Sequence, residues 1–419
     1  MSAALLPFAM SLAEQPETSS VGWAVVVVVV VLLLPLLVLE LLGMRYIPNN
    51  RVGIVEKLWS GRGSVPEGRI IALNGEAGYQ ADVLRGGAHF GLWRWQYRIH
   101  KLQLVTVPQG KIGYVYARDG EPLAPSQTLG RVIPCNNFQD ARAFLGEGGA
   151  EGEKGCGQRG RQRAILREGV YAINLALFVV ITEDAVYRLP QQEGRELETL
   201  LNWQKELRRV DGFRPVVIGG AVRTPEAAEE REEEEPRRPR RRSEPAAVEP
   251  VGAIAETVQP ADTIGIVTVQ DGPSLNPGEI IAPPVGTDAN DPNYHNNFQD
   301  PEAFLRAGGR RGRQYVTLTD GTYFINRWFA TVEIIPKTVV PIGYVGVVVS
   351  YYGRQGRDLS GEAFRHGERV AEGERGVWER PLGPGKYPFN TYAGNIILVP
   401  TTNFVLHWIT GRKIGRAHV

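Results

Sequence analysis

The sequence predicts a mainly β protein of the α+β type: one N-terminal transmembrane helix, then four tandem β-rich modules with short helical insertions. Three observations lead there. An uncharged stretch runs from Val21 to Leu39, short phrases of glycine and β-branched residues recur four times, and 49 Gly with 29 Pro among 419 residues suit short strands and turns.

The uncharged stretch contains Val25 to Val31 followed by Leu32, Leu33 and Leu34. At about 1.5 Å per residue it matches the roughly 30 Å hydrocarbon thickness, so a transmembrane helix is predicted over residues 21–43, after an extracytoplasmic tail of residues 1–20. Pro35 is a predicted kink, Glu40 reaches the interface, and Trp23 and Tyr46 sit near the two ends as interfacial aromatics do. A cleaved signal peptide is disfavoured, because the residues before the stretch include Glu14 and Glu17 and no Lys or Arg. Arg45, Arg51, Lys57 and Arg62 follow it, which predicts a single-pass protein of the cell membrane with its C-terminal body in the cytoplasm. The two cysteines, Cys135 and Cys156, form no C-x-x-C or zinc spacing and suit a reducing compartment. With 47 Lys and Arg against 46 Asp and Glu, nothing in the charge balance points to nucleic acid.

The opening phrase of the repeat reads Val52-Gly53-Ile54-Val55, Ile112-Gly113-Tyr114-Val115, Ile264-Gly265-Ile266-Val267 and Ile342-Gly343-Tyr344-Val345. The closing phrase reads Gly169 to Asn174, Gly321 to Asn326 and Gly385 to Asn390, with a weaker relative at Gly87-Ala88-His89-Phe90. A glycine turn followed by a strand is the simplest account of it. Modules are therefore expected over residues 50–110, 111–190, 251–338 and 339–413.

The second and third copies share an insertion, Asn136-Asn137-Phe138-Gln139-Asp140 and Asn296-Asn297-Phe298-Gln299-Asp300. Asp300 stands to cap a helix begun by Pro301 and Glu302; a cation or ligand site is the alternative reading of these polar residues. Residues 191–250 read as an amphipathic helix from Glu196 to Arg209, then a disordered linker, acidic from Glu226 to Glu235 and basic from Arg237 to Arg242. The basic cluster either touches anionic lipid or is a solvated loop. A second flexible insertion is expected from Gly146 to Arg163.

No catalytic, cofactor-binding or metal-ligating residue set emerges. The string Gly155-Cys156-Gly157-Gln158-Arg159-Gly160 spells a dinucleotide loop but follows a charged stretch where a buried strand is required. The six histidines, His89, His100, His295, His366, His407 and His418, show no metal-binding spacing. Cys135 and His295 occupy corresponding parts of two repeats and could in principle meet as a thiol–imidazole pair, though nothing else in the sequence supports it; Ser360, His366 and nearby carboxylates could be drawn as a triad, but polar loop residues explain them better.

From Gly343-Tyr344-Val345 through Leu382-Gly383-Pro384-Gly385-Lys386-Tyr387 to Asn395-Ile396-Ile397-Leu398-Val399-Pro400, the fourth copy resembles the opening of an SPFH (stomatin/prohibitin/flotillin, band 7) domain, and bacterial flotillin-like proteins in particular. Thr402-Asn403-Phe404-Val405-Leu406 looks like the lead into the next part of such a domain. The resemblance implies a non-enzymatic, membrane-anchored scaffold that homo-oligomerises, contacts membrane lipids and integral membrane proteins, and organises membrane patches. The usual Ala/Glu-rich helical continuation is absent, and residues 414–419 resemble adapter-encoded sequence, so the gene reads as C-terminally truncated. The rival readings are a membrane-tethered regulator of one partner such as a protease, an unrecognised enzyme, and an exported envelope adaptor of opposite topology.

Overall fold

The structure, a computed structural model, describes residues 20–125, 127–146, 156–190, 194–219, 262–357, 359 and 369–401, without the side chains of 20–22, 24, 26 and 35–37. The N-terminal tail before residue 20, the charged linker from Glu226 to Arg242, Ser360, His366, His407, the lead from Thr402 to Leu406 and residues 414–419 lie outside the described residues.

The chain is mostly β, as expected. The predicted membrane span needs correction. Helix α1 (Ser20–Leu41) does form over the uncharged stretch, but among the described residues no helix is long and apolar enough to cross a membrane. A crossing asks for about 20 consecutive apolar residues. The transmembrane assignment and the single-pass localisation that rested on it are therefore withdrawn.

Two compact units are present, one comprising the described residues up to Leu104 with Ala172–Asn174, the other the rest. The first unit holds β1 (Arg45–Ile47), β2 (Arg51–Lys57), β3 (Ile71–Ala72), β4 (Gly78–Leu84), β5 (Gly87–His89) and β6 (Tyr97–Gln103). Strand β2 lies between β4 and β6, both antiparallel to it, while β1 and β5 form a separate two-stranded ribbon. Gly53 shows why the opening phrase carries glycine. A Cβ there would lie 3.0 Å from Ile47 of the ribbon and 3.1 Å from Leu84 of β4, so the ribbon crosses the sheet where no side chain fits.

The second unit repeats this plan three times. The second module has β7 (Val105–Val107), β8 (Gly113–Ala117), helix α2 (Ala141–Phe144), β9 (Gly160–Leu166), β10 (Gly169–Tyr171), β11 (Phe178–Ile181) and β12 (Val186–Tyr187), and is followed by α3 (Arg195–Arg209). The third has β13 (Val216–Ile218), β14 (Thr263–Val269), α4 (Pro301–Arg306), β15 (Gly312–Leu318), β16 (Gly321–Tyr323) and β17 (Ala330–Pro336). The fourth has β18 (Thr338–Val340), β19 (Tyr344–Ser350), β20 (Arg369–Val370), β21 (Gly376–Trp378), β22 (Gly385–Tyr387) and β23 (Gly394–Pro400). Each has a central strand (β8, β14, β19) and a crossing ribbon (β7–β10, β13–β16, β18–β22). The pairing of β2 with β4, β8 with β9 and β14 with β15 shifts register at the same point, between Ile54 and Glu56, Tyr114 and Tyr116, and Ile266 and Thr268. A bulge there coils each sheet toward its ribbon.

The fourth module sits three residues later than its opening phrase suggests. Gly346, not Gly343, pairs opposite Leu382 and lies under Val340, where a Cβ would be 3.0 Å from that side chain. Ile342 is 92% exposed, whereas Ile112 and Ile264 are fully buried.

The insertions bring their aromatics inward by an uncommon backbone. Asn136, Asn137 and Phe138 all have positive φ (49°, 53°, 62°), as do Asn296, Asn297 and Phe298 (45°, 53°, 65°). Asparagine tolerates this region and phenylalanine does not; about 1–2 kcal/mol of strain per residue is offset by burying Phe138 against Phe144 and Phe178, and Phe298 against Phe304. Asp300 then caps α4 as expected, accepting from the N–H groups of Glu302 and Ala303 at 3.0 Å, and Asp140 caps α2. The flexible stretch expected up to Arg163 ends earlier, because β9 begins at Gly160.

Candidate functional site

Among the described residues, the buried histidine and the buried cysteine are held by backbone. His295 is buried; its Nδ1 accepts the Phe298 N–H at 2.9 Å and its Nε2 lies 2.9 Å from the Val285 carbonyl. With one nitrogen accepting and the other donating, the ring is neutral and has none free to serve a thiol, and burial lowers its pKa. Cys135 occupies the same place in the second module and accepts the Phe138 N–H; burial pushes its thiol up to about 11. The two residues are equivalents in separate modules, and neither is an activated nucleophile or base. The glycine string fails as a dinucleotide loop for a concrete reason: Gly160 opens strand β9 instead of a helix, and a Cβ on Gly157 would lie 2.4 Å from the Phe144 ring. His100 pairs with Glu56 at 2.8 Å, and His89 lies 2.7 Å from the Arg85 carbonyl. Among the described residues no three His, Cys, Asp or Glu side chains gather to hold a metal.

What the repeats share is a polar frame. Two residues into β4, β9 and β15, a glutamine folds back on its own strand: Gln80 donates to the Glu76 and Gly78 carbonyls, Gln162 to those of Gln158 and Gly160, and Gln314 to those of Arg310 and Gly312. Trp378 takes this place in β21 and donates to the Glu374 carbonyl. Two residues after the closing glycine, Tyr171, Tyr323 and Tyr387 each donate to the carbonyl four residues back. The asparagine three positions further on reaches elsewhere. Asn326 Nδ2 donates to the Gln162 and Arg163 carbonyls at 3.0 and 2.8 Å, binding the third module to the second. Asn390 does the same to Gln314 and Tyr315 at 2.9 and 3.1 Å, binding the fourth to the third. In the first unit Asn174 makes the matching bonds to Gln80 and Ala81. The closing phrase displays this asparagine, but its partners are far away in sequence; the recurring Gly-x-Gln is the signal that would have located them.

Around the clamps the two junctions of the second unit differ. Between the second and third modules, Asp271, fully buried, accepts from Arg163 Nε at 2.8 Å and from the Thr128 N–H and hydroxyl at 3.0 and 2.9 Å. Arg163 also pairs with Glu302 at 3.0 Å. The Arg161 guanidinium lies 5.6 Å from the Trp203 ring of α3 and 5.5 Å from that of Trp328, and Tyr114 donates to the Gly212 carbonyl at 2.6 Å. Between the third and fourth modules, Tyr315 and Tyr352 stack instead, and burial raises both phenol pKa values. Beside them lies a groove of about 300 Å³ lined by Glu279, Ile280, Tyr351, Tyr352, Arg354 and Arg375.

No protein-family model matches this chain, no curated protein matches its sequence, and no solved structure matches its fold. The class of protein is therefore defined by architecture alone, as tandem crossed-sheet β modules, those of the second unit joined one to the next by buried polar side chains.

Proposed function

We propose that this chain is a non-catalytic scaffold that assembles with copies of itself and holds partner proteins on a platform of stacked β modules, in the manner of the SPFH proteins its fourth module resembles in sequence. The observation that carries this reading is the repeated asparagine clamp, Asn326 on Gln162 and Arg163, and Asn390 on Gln314 and Tyr315. Polar groups that an enzyme would spend on a substrate are spent here on joining modules. Each clamp gives a donor to two backbone carbonyls, and a buried carbonyl left without one costs about 1–3 kcal/mol. Nearest-neighbour contacts of this kind make a stiff array with extended surfaces, which is what repeat proteins use to bind others.

A second reading, regulation of one defined partner, draws on the groove beside Tyr352. Sedimentation of the full chain over a range of concentrations separates the two. Mass rising to several copies supports the scaffold; a monomer throughout overturns self-assembly and favours the regulator.

A further inference from the structure

The clamp is directional, and one end of the array has an unused acceptor. The first module carries Leu92 where the others carry asparagine, so this position has no side-chain amide to donate. The acceptors of the clamps are always the second and third residues after a strand-opening glycine: Gln80 and Ala81 after Gly78, Gln162 and Arg163 after Gly160, Gln314 and Tyr315 after Gly312. In the fourth module these positions are Trp378 and Glu379, after Gly376. Among the described residues no side-chain amide donates to them.

Burial agrees. Where a clamp is made the acceptor residues are mostly buried: Ala81, Gln162, Arg163 and Gln314 are at most 5% exposed. Trp378 is only half-buried and Glu379 is exposed. The central strand tells the same story. Ile264 and Ile266 of β14 are fully buried, while their counterparts in β19, Val345 and Val347, are half-buried. An apolar sheet face and a pair of carbonyls covered at the preceding junction stand uncovered here.

We propose that this flank of the fourth module is a docking surface for a further β module of the same kind, whose Gly-x-Tyr-x-x-Asn phrase sets its asparagine amide on the Trp378 and Glu379 carbonyls. The inference rests on the stacked-scaffold reading and names the partner class that extends the stack. A second copy of this chain does not supply that asparagine from its described modules, because Asn174, Asn326 and Asn390 are all engaged. The partner is thus a module with its clamp free, and growth runs in one direction only.

The joint can be rebuilt from the chain's own parts. Strands β17 and β23 both end in proline, Pro336 and Pro400, and Lys337 alone separates Pro336 from β18. A second copy of residues 337–400 inserted after Pro400 of the full chain therefore reproduces the existing junction. Glu379→Cys in a Cys156→Ser background places a thiol at the flank, with Cys135 buried. Thiol labelling is expected to slow about tenfold when the copy is present, a factor corresponding to ~1.4 kcal/mol of docking, and to recover when the copy's own asparagine, the duplicate of Asn390, is changed to Ala. A rise in the urea m-value reports that the added copy has folded. Folding without protection of the thiol overturns the proposal, and so does failure to fold, since docking on the flank is what stabilises the added copy. Self-assembly of the unextended chain is read separately by sedimentation, so the scaffold reading and this one can fail independently.

Discussion

Tyr352 stacks on Tyr315 with ring centres 4.2 Å apart and planes 25° from parallel, at the two positions where the preceding junction buries Asp271 against Arg163. One architecture thus solves the same contact twice, once with charge and once with aromatic faces. The ionic solution brings the larger penalty when half of it is removed, because a buried charge is left without its partner. The aromatic pair is worth only about 0.5–1.5 kcal/mol beyond the area it buries.

Asp271→Ala is expected to destabilise the second unit by about 3–5 kcal/mol. Replacing both partners, Arg163→Tyr with Asp271→Tyr, should cost less than the sum of the two single changes, since the chain already uses a tyrosine pair there. Urea denaturation of the four proteins in a double-mutant cycle measures the coupling, and simple additivity would show that the two positions do not act as a pair.

Asn326→Ala removes a buried amide from two carbonyls and should cost about 2–4 kcal/mol, with hydrogen exchange rising where the second and third modules meet. Asn326→Asp should fare no better, because a carboxylate cannot donate to either carbonyl. An unchanged melting point in both variants would remove the clamp from the account of stacking.

The buried His295 titrates below its ordinary range, and the sign of its effect follows. Stability it contributes is present above pH ~6.5 and is lost as the pH falls through its folded-state value, when the unfolded chain takes up the proton first. His295→Cys, which copies the second module, should keep the fold and flatten that acid limb. An acid limb of the same steepness in the variant would assign it to other groups.

Cys135, held at about 11 instead of 9.0, should react with iodoacetamide at pH 8 roughly a thousandfold more slowly than its full thiolate would. Stability should be flat below pH 9 and fall by about 2–3 kcal/mol as the pH rises to 11, a limb absent from Cys135→Ala. Rapid alkylation in the native state would contradict this placement, and loss of an activity in Cys135→Ala with the fold intact would revive an enzymatic role.

The register of the fourth module gives a simple contrast. Gly346→Ala should cost about 1–3 kcal/mol, because a Cβ would sit 2.8 Å from Ile396 and 3.0 Å from Val340. Ile342→Ser should change stability by less than about 0.5 kcal/mol at a 92% exposed site. The reverse result would restore the opening phrase read directly from the sequence.

Much of the module was legible. The recurring opening phrase marked the central strands, and Asp300-Pro301-Glu302 marked the start of α4, because repetition and helix capping are written in adjacent residues. The closing phrase was visible down to its asparagine. Its partners were not, since the Asn326 amide meets carbonyls 164 and 163 residues away and no local rule names them. Hydropathy alone had likewise marked a membrane span over residues 21–43, which the described helices do not supply.

By itself the sequence determined that this protein is built of repeated β modules, because repetition and side-chain alternation are properties of the chain as written. Only the tertiary structure decided which glycine lies beneath the crossing ribbon, that both ring nitrogens of His295 are taken by backbone and leave none for Cys135, and which carbonyls the asparagines hold. Those outcomes depend on close approach between segments distant in sequence, where a fraction of an ångström separates a contact from a clash and each buried polar group must find a donor or acceptor.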